Sequence, residues 1–100
     1  MPYVITFVDA PGTDRAQKTR VRPTHIDYVS RNQNRIIASG GLFPEDDDFP
    51  NGGLIILDAA SRSEAVDYIE NDPFFLSGIF SNYTIRRWKK FIFDHQRVEG

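Results

Sequence analysis

The groups able to do chemistry near neutral pH are few here, because the chain has no cysteine and two histidines. Histidine is the side chain that titrates in that range. His95 lies in a polar C-terminal stretch, whereas His25 lies in Arg22-Pro-Thr-His-Ile-Asp-Tyr28, a segment of helical character. An imidazole at work needs a group that orients it and fixes its tautomer. Asp72 is the acid whose placement asks for a donor. It follows a predicted helix and precedes Pro73-Phe-Phe, and Pro73 turns it out of the helical region. A helix C-terminus is partly negative, so a bare carboxylate there calls for a partner. His25 is the expected one, and the pair would form a dyad fit for general acid–base work. Taken singly, a surface histidine and an Asp-Pro turn are the commonplace readings.

The remaining candidates carry less. Ser39, Ser77 and Ser81 lack the flanking glycines of a nucleophile elbow. Glu45-Asp-Asp-Asp48 lacks the alternating spacing and terminal glutamate of a calcium loop, so it reads as a solvated acidic loop. Two histidines without a third patterned ligand predict no metal, and the absence of a glycine-rich phosphate loop predicts no nucleotide cofactor. Phe74 and Phe75 are either core aromatics or the walls of an apolar pocket. Gly40-Gly41 marks either a bulge or room for a ligand beside the backbone.

The elements that must position these residues follow from patterning. Tyr3 to Val8 reads as a strand, and Asp9-Ala-Pro-Gly-Thr breaks it. Asp14 can cap a short helix reaching Val21. A main helix follows, with Pro23 near its first turn, Ile26 and Val29 toward the core and Tyr28 at the edge. Asn32 to Asn34 end it. Arg35 to Phe43 reads as the second strand and Gly53 to Ala59 as a third, apolar enough to be buried on both faces. Ser61 caps the next helix, with Glu64 reaching back to the Ser61 amide and Ala65, Tyr68 and Ile69 on one face. A last strand spans Ser81 to Arg87, and Asp94 to Gly100 reads as a loose tail.

The order β-α-β-β-α-β predicts an α+β, ferredoxin-like fold with a four-stranded antiparallel sheet and both helices on one face. Side by side, those helices can bring Asp72 toward His25. The other sheet face is uncovered, yet either Leu54 and Ile56 or Ile55 and Leu57 must point into it. That predicts a homodimer packed sheet to sheet. One hundred residues suit one domain spanning 1–100. A net charge of −2 offers no basic field for nucleic acid, and no apolar run suits a signal peptide or membrane span, so a cytoplasmic location is expected.

Beyond these readings, the chain resembles the YCII-related family. The resemblance rests on the Tyr3-Val-Ile-Thr-Phe strand, Arg22-Pro-Thr-His25-Ile-Asp-Tyr28, Ile37-Ala-Ser-Gly40, Ser63-Glu-Ala65, Asn71-Asp-Pro-Phe74 with Gly78 after it, and Ile85-Arg-Arg-Trp88. It implies a dimeric α+β barrel. It also implies that the family's histidine and aspartate fall on His25 and Asp72, as a catalytic dyad beside a substrate pocket. The matched motifs bring Arg22, Ser39, Gly40, Pro73, Phe74 and Gly78 to that pocket. One branch of the family is associated with dehydrochlorination of a chlorinated hydroxyquinol. This chain departs from the pattern at Arg87, where a proline often precedes the last aromatic, and in its acidic loop. The expected function is a small cofactor-independent enzyme using the dyad on an aromatic or carbonyl-bearing substrate. The alternative is a non-catalytic small-molecule-binding or regulatory module of the same fold.

Overall fold

Alternation along the strands decides which side of the sheet becomes core. In β1 (Tyr3–Val8), Tyr3, Ile5 and Phe7 are buried while Val4 and Thr6 are half-buried, the two-residue period of a strand with one sealed face. The structure, a computed structural model, describes residues 1–98. β2 (Ile36–Leu42), β3 (Gly52–Leu57) and β4 (Tyr83–Arg87) join β1 in an antiparallel sheet ordered β2-β3-β1-β4. Ile5 pairs with both Ile55 and Ile85, so three isoleucines make one row of the core. α1 (Arg15–Arg31) and α2 (Arg62–Glu70) complete the ferredoxin-like order. A one-turn helix, α3 (Pro73–Leu76), follows α2 directly.

β3 is not buried on both faces. Ile55 and Leu57 are buried under the helices, whereas Leu54 and Ile56 stay half-buried on the other side, because no helix seals that face. The irregularity in β2 falls between Ile36 and Ala38, upstream of the expected glycines, and Gly40 and Gly41 pair regularly with Leu54 and Gly53. Gly53 is required for a different reason: a Cβ there would come within 2.7 Å of the Phe7 ring.

α1 is one helix of 17 residues, with Asp14 capping it through the Ala16 amide at 2.9 Å. Pro23 lies inside it and does not divide it. Proline removes one backbone donor and disfavours helix at the residue before it. Tertiary anchoring outweighs that cost. Gln17 donates to the Ser77 carbonyl at 3.1 Å, His25 meets Asp72 at 2.9 Å, and the Tyr28 hydroxyl donates to the Tyr68 carbonyl at 2.7 Å. These bonds, spread over three turns, tie α1 to the α2–α3 segment. Its periodicity also shifts from the expected one. Ile26 is 42% exposed, and Tyr28 packs against the core instead of lying at the edge.

α2 begins as its sequence predicts, with the Glu64 amide donating to Ser61 Oγ at 3.2 Å. The Glu64 carboxylate reaches the Ala60 amide at 2.9 Å, one residue before the expected Ser61. Ala65, Tyr68 and Ile69 are buried. β5 (Ile92–Phe93) pairs with β6 (Gln96–Arg97) in a small hairpin, so the first part of the expected loose tail, from Asp94, is its turn and second strand. Asp94 and His95, both at positive φ, make its turn. Glu99 and Gly100 lie outside the described residues. Among the described residues no helix is long and apolar enough to cross a membrane.

Candidate active site

Asp72 is 1% exposed and Oδ1 is its working atom. Oδ1 accepts the Phe74 amide at 2.8 Å and faces His25 Nδ1 at 2.9 Å. The backbone explains why. α2 ends at Glu70 with Asn71 as its C-cap, and Pro73 starts a new helical turn. Asp72 is therefore the N-cap of α3 as well as the residue after α2. The expectation of a carboxylate stranded at a helix C-terminus is corrected: the following turn offers it an amide, the position a capping aspartate favours. His25 remains its side-chain partner.

The imidazole is held from a second direction. Its ring stacks on Phe74, with centroids 4.0 Å apart and planes 7° from parallel. Phe74 follows Pro73 in α3, so the residue whose amide binds Asp72 also supports His25. With a carboxylate at Nδ1, that nitrogen carries the proton and donates, and Nε2 presents its lone pair. Nε2 has no hydrogen-bond partner among the described residues. The His25 side chain keeps 19% exposure, enough to be reached.

These groups edge an apolar cavity of about 370 Å³. Its walls include Phe7, Phe43, Phe49, Phe74 and Tyr68, with Ser39, Gly40 and Arg22 also lining it. Ser39 pairs with Ile55 across the sheet and so shares the helix-covered face. Pro73 and Gly78 do not line the cavity. Pro73 sets the first turn of α3. Gly78 ends that segment at φ 77°, with its amide bonded to the Phe75 carbonyl at 3.0 Å. Both shape the backbone around Asp72.

Several lining residues escape a reading of the sequence alone. Lys18 is 5% exposed, and its ammonium donates to Asp9 Oδ2 and to the Pro50 carbonyl, each at 2.7 Å. The sequence signal was the spacing Lys18, Arg22, His25, which puts all three on one helix face. The acidic loop also contributes. Asp47 pairs with Arg15 and accepts the Phe49 amide at 3.1 Å, and Arg15 lies 4.6 Å over the Phe49 ring. The loop that looked merely solvated thus presents Phe43, Phe49 and Pro50 to the cavity.

Tyr68 is 2% exposed, and its hydroxyl lacks a hydrogen-bond partner. Burial pushes its phenol well above the ordinary tyrosine range, helped by the Asp72 charge and by Tyr28. Tyr28 is raised by burial and then by Asp72, with Arg35 and Arg31 opposing. Both stay neutral at physiological pH. Among the described residues no group of three or more His, Cys, Asp or Glu side chains could hold a metal ion.

The fold has counterparts among known proteins. Among solved structures, the chain is similar to the 5-chloro-2-hydroxyhydroquinone dehydrochlorinase of Burkholderia phenoliruptrix in complex with 2,5-dihydroxybenzoquinone. Identity is 28% and the TM-score 0.78, over 89% of this chain and 94% of that one. A protein of Arabidopsis thaliana aligns over 90% of this chain and 95% of its own at 10% identity, with a TM-score of 0.47. No curated protein matches the chain. The family model of the YCII-related domain matches residues 1–89, a span that contains every strand of the sheet, His25, Asp72 and the cavity, and the chain belongs to the YCII-related domain family.

Proposed function

We propose that this chain is a small cofactor-independent enzyme that moves a proton on a small ring-bearing substrate. His25 Nε2 takes the proton, and Asp72 holds the imidazole in register and balances the imidazolium that forms. The observation that carries the reading is the 2.9 Å contact between His25 Nδ1 and the buried Asp72 carboxylate at the edge of an apolar cavity. Such a dyad gains from a site where water is scarce, since charge interactions strengthen there. The similar dehydrochlorinase supports the class of reaction. In dehydrochlorination of a chlorinated hydroquinone the ring first tautomerises, one O–H proton leaving and a proton joining the carbon that bears chlorine. A base then removes a second O–H proton, the C=O π bond forms from that electron pair, and chloride leaves with the C–Cl pair. In this reading His25 serves as that base.

The trial substrate is 5-chloro-2-hydroxyhydroquinone, with chloride release as the readout. His25→Ala is expected to lower turnover by roughly 10²–10⁴-fold, the range for one general acid–base group, while the circular dichroism stays native. Full activity in that variant would sink the assignment and favour the non-catalytic binding module. We also propose that a second copy covers the sheet face carrying Val4, Leu54 and Ile56, whose half-buried apolar side chains have no helix above them.

A further inference from the structure

The charge of the cavity says more about its ligand than its shape does. Three charged side chains line it: Lys18, Arg22 and Asp72. Asp72 is committed to His25 and the Phe74 amide. Two cations and one carboxylate among the lining residues leave one positive charge there before Asp9, which pairs with Lys18 from outside the lining, is counted; the whole chain carries −2.

Lys18 is nearly sealed from solvent, and burying an ammonium is costly unless it is paired. Asp9 and the Pro50 carbonyl take two of its three N–H groups. The third has no hydrogen-bond acceptor among the described residues, and the ammonium lies over the Phe49 ring, 5.5 Å from its centroid. Lys18 Nζ lies 5.6 Å from the Phe74 ring centroid, and the His25 ring is centred 4.0 Å from the same point. The ammonium and the imidazole are thus separated by no more than those two distances together, the reach of one substituted six-membered ring. Arg22 lies between them on the same helix face, four residues after Lys18 and three before His25. It is exposed and has no ion-pair partner among the described residues. Asp9 balances Lys18 and Asp72 is held by His25 and the Phe74 amide, so Arg22 is the cation left without an ion-pair partner, while Lys18 supplies a directed N–H.

We infer that the cavity takes a single-ring organic anion, with its acidic oxygen on Arg22 and the free N–H of Lys18, and with its ring reaching His25 among Phe7, Phe49 and Phe74. The inference rests on the proposed reading of His25 as the working base. It makes Lys18 and Arg22 specificity-determining residues that favour the ionised form of a ring substrate over a neutral ring of the same shape. A guanidinium or ammonium paired with a carboxylate is a strong, charge-assisted contact, and one such contact is worth about tenfold or more in affinity.

The test uses 4-hydroxybenzoate against 4-hydroxybenzamide, nearly equal in shape and different in charge. Calorimetry gives the affinities, and the NMR signals of the His25 ring report whether each probe reaches it. The carboxylate should bind about tenfold tighter than the amide. That preference should shrink to about threefold or less in Arg22→Gln, a substitution at an exposed position, and also in Lys18→Met. If both probes shift His25 and bind equally well, the anion inference is overturned while the cavity stands as a ring-binding site. A preference that survives both substitutions overturns the assignment to Arg22 and Lys18. If neither probe perturbs His25 at millimolar concentration, the inference and the proposed function fall together.

Discussion

The contact between His25 and Asp72 predicts a definite coupling energy. Asp72→Ala removes an oxygen that serves two donors, the Phe74 amide at 2.8 Å and His25 Nδ1 at 2.9 Å, from a site 1% exposed. Loss of an N-cap costs roughly 1 kcal/mol. Loss of a hydrogen bond to a charged acceptor costs roughly 1.5–3 kcal/mol. One oxygen makes both bonds, so the two do not simply add, and the expected loss is about 2–4 kcal/mol. That is a large share of the roughly 5–15 kcal/mol holding a domain of this kind. Asp72→Asn keeps an acceptor of the same shape and should cost about 1 kcal/mol, the difference between a charged and a neutral acceptor. His25→Ala closes a double-mutant cycle with Asp72→Ala, and its coupling should lie at about 1–3 kcal/mol. Because the cycle cancels what each residue does alone, the stack of His25 on Phe74 drops out. Urea unfolding followed by circular dichroism measures the four proteins of the cycle and Asp72→Asn, with an unchanged slope required before midpoints are compared. Coupling within about 0.3 kcal/mol of zero refutes the dyad as an energetic unit. So does an Asp72→Ala variant no less stable than Asp72→Asn.

Other expectations concern the tyrosines and the assembly. The Tyr68 hydroxyl is buried without a partner, so Tyr68→Phe should stabilise the ligand-free chain by about 1 kcal/mol in the same urea assay, and a loss of similar size would show that the hydroxyl has a partner. The phenols of Tyr28 and Tyr68 are both pushed above their ordinary value of 10.0 by burial, with the Asp72 charge next in order. Below pH 10 both folded and unfolded chains hold these protons; above it the unfolded chain releases them first, so stability falls as pH rises. The slope is at most about 1.4 kcal/mol per pH unit for each tyrosine, and urea midpoints that hold level from pH 9.5 to 11 would contradict it. Light scattering at micromolar concentration should return twice the mass of the chain, and a stable monomer would remove the second copy from the open sheet face.

The parts of the fold that the sequence made legible are those where local chemistry and tertiary packing agree. Ser61 with Glu64, the alternation in β1 and the breaks at Pro11-Gly12 all name their elements without help from the rest of the chain. α1 was harder because its evidence lies elsewhere. Pro23 argues locally for two helices, and what holds one helix together is Ser77, Tyr68 and Asp72, 40 to 60 residues away in sequence. Lys18 was invisible for the same reason: a lysine in a helical stretch is expected in water, and the Asp9 and Pro50 contacts that bury it come from two other segments. Asp72 shows how a sound inference can rest on half of the local structure. A carboxylate after α2 does need a donor, and His25 is one. Yet the backbone had already provided another, because the proline that ends one helix also opens the next. That second donor is what makes the site rigid. Asp72 held by His25 alone could swing with the imagined helix end, whereas Asp72 fixed by the Phe74 amide cannot turn away without uncapping α3. The ring stacked on His25 belongs to the residue that supplies that amide, so any shift of the carboxylate must also move the support beneath the imidazole. Orientation of the proposed base is therefore set by three consecutive residues, Asp72, Pro73 and Phe74, acting through one oxygen and one aromatic face.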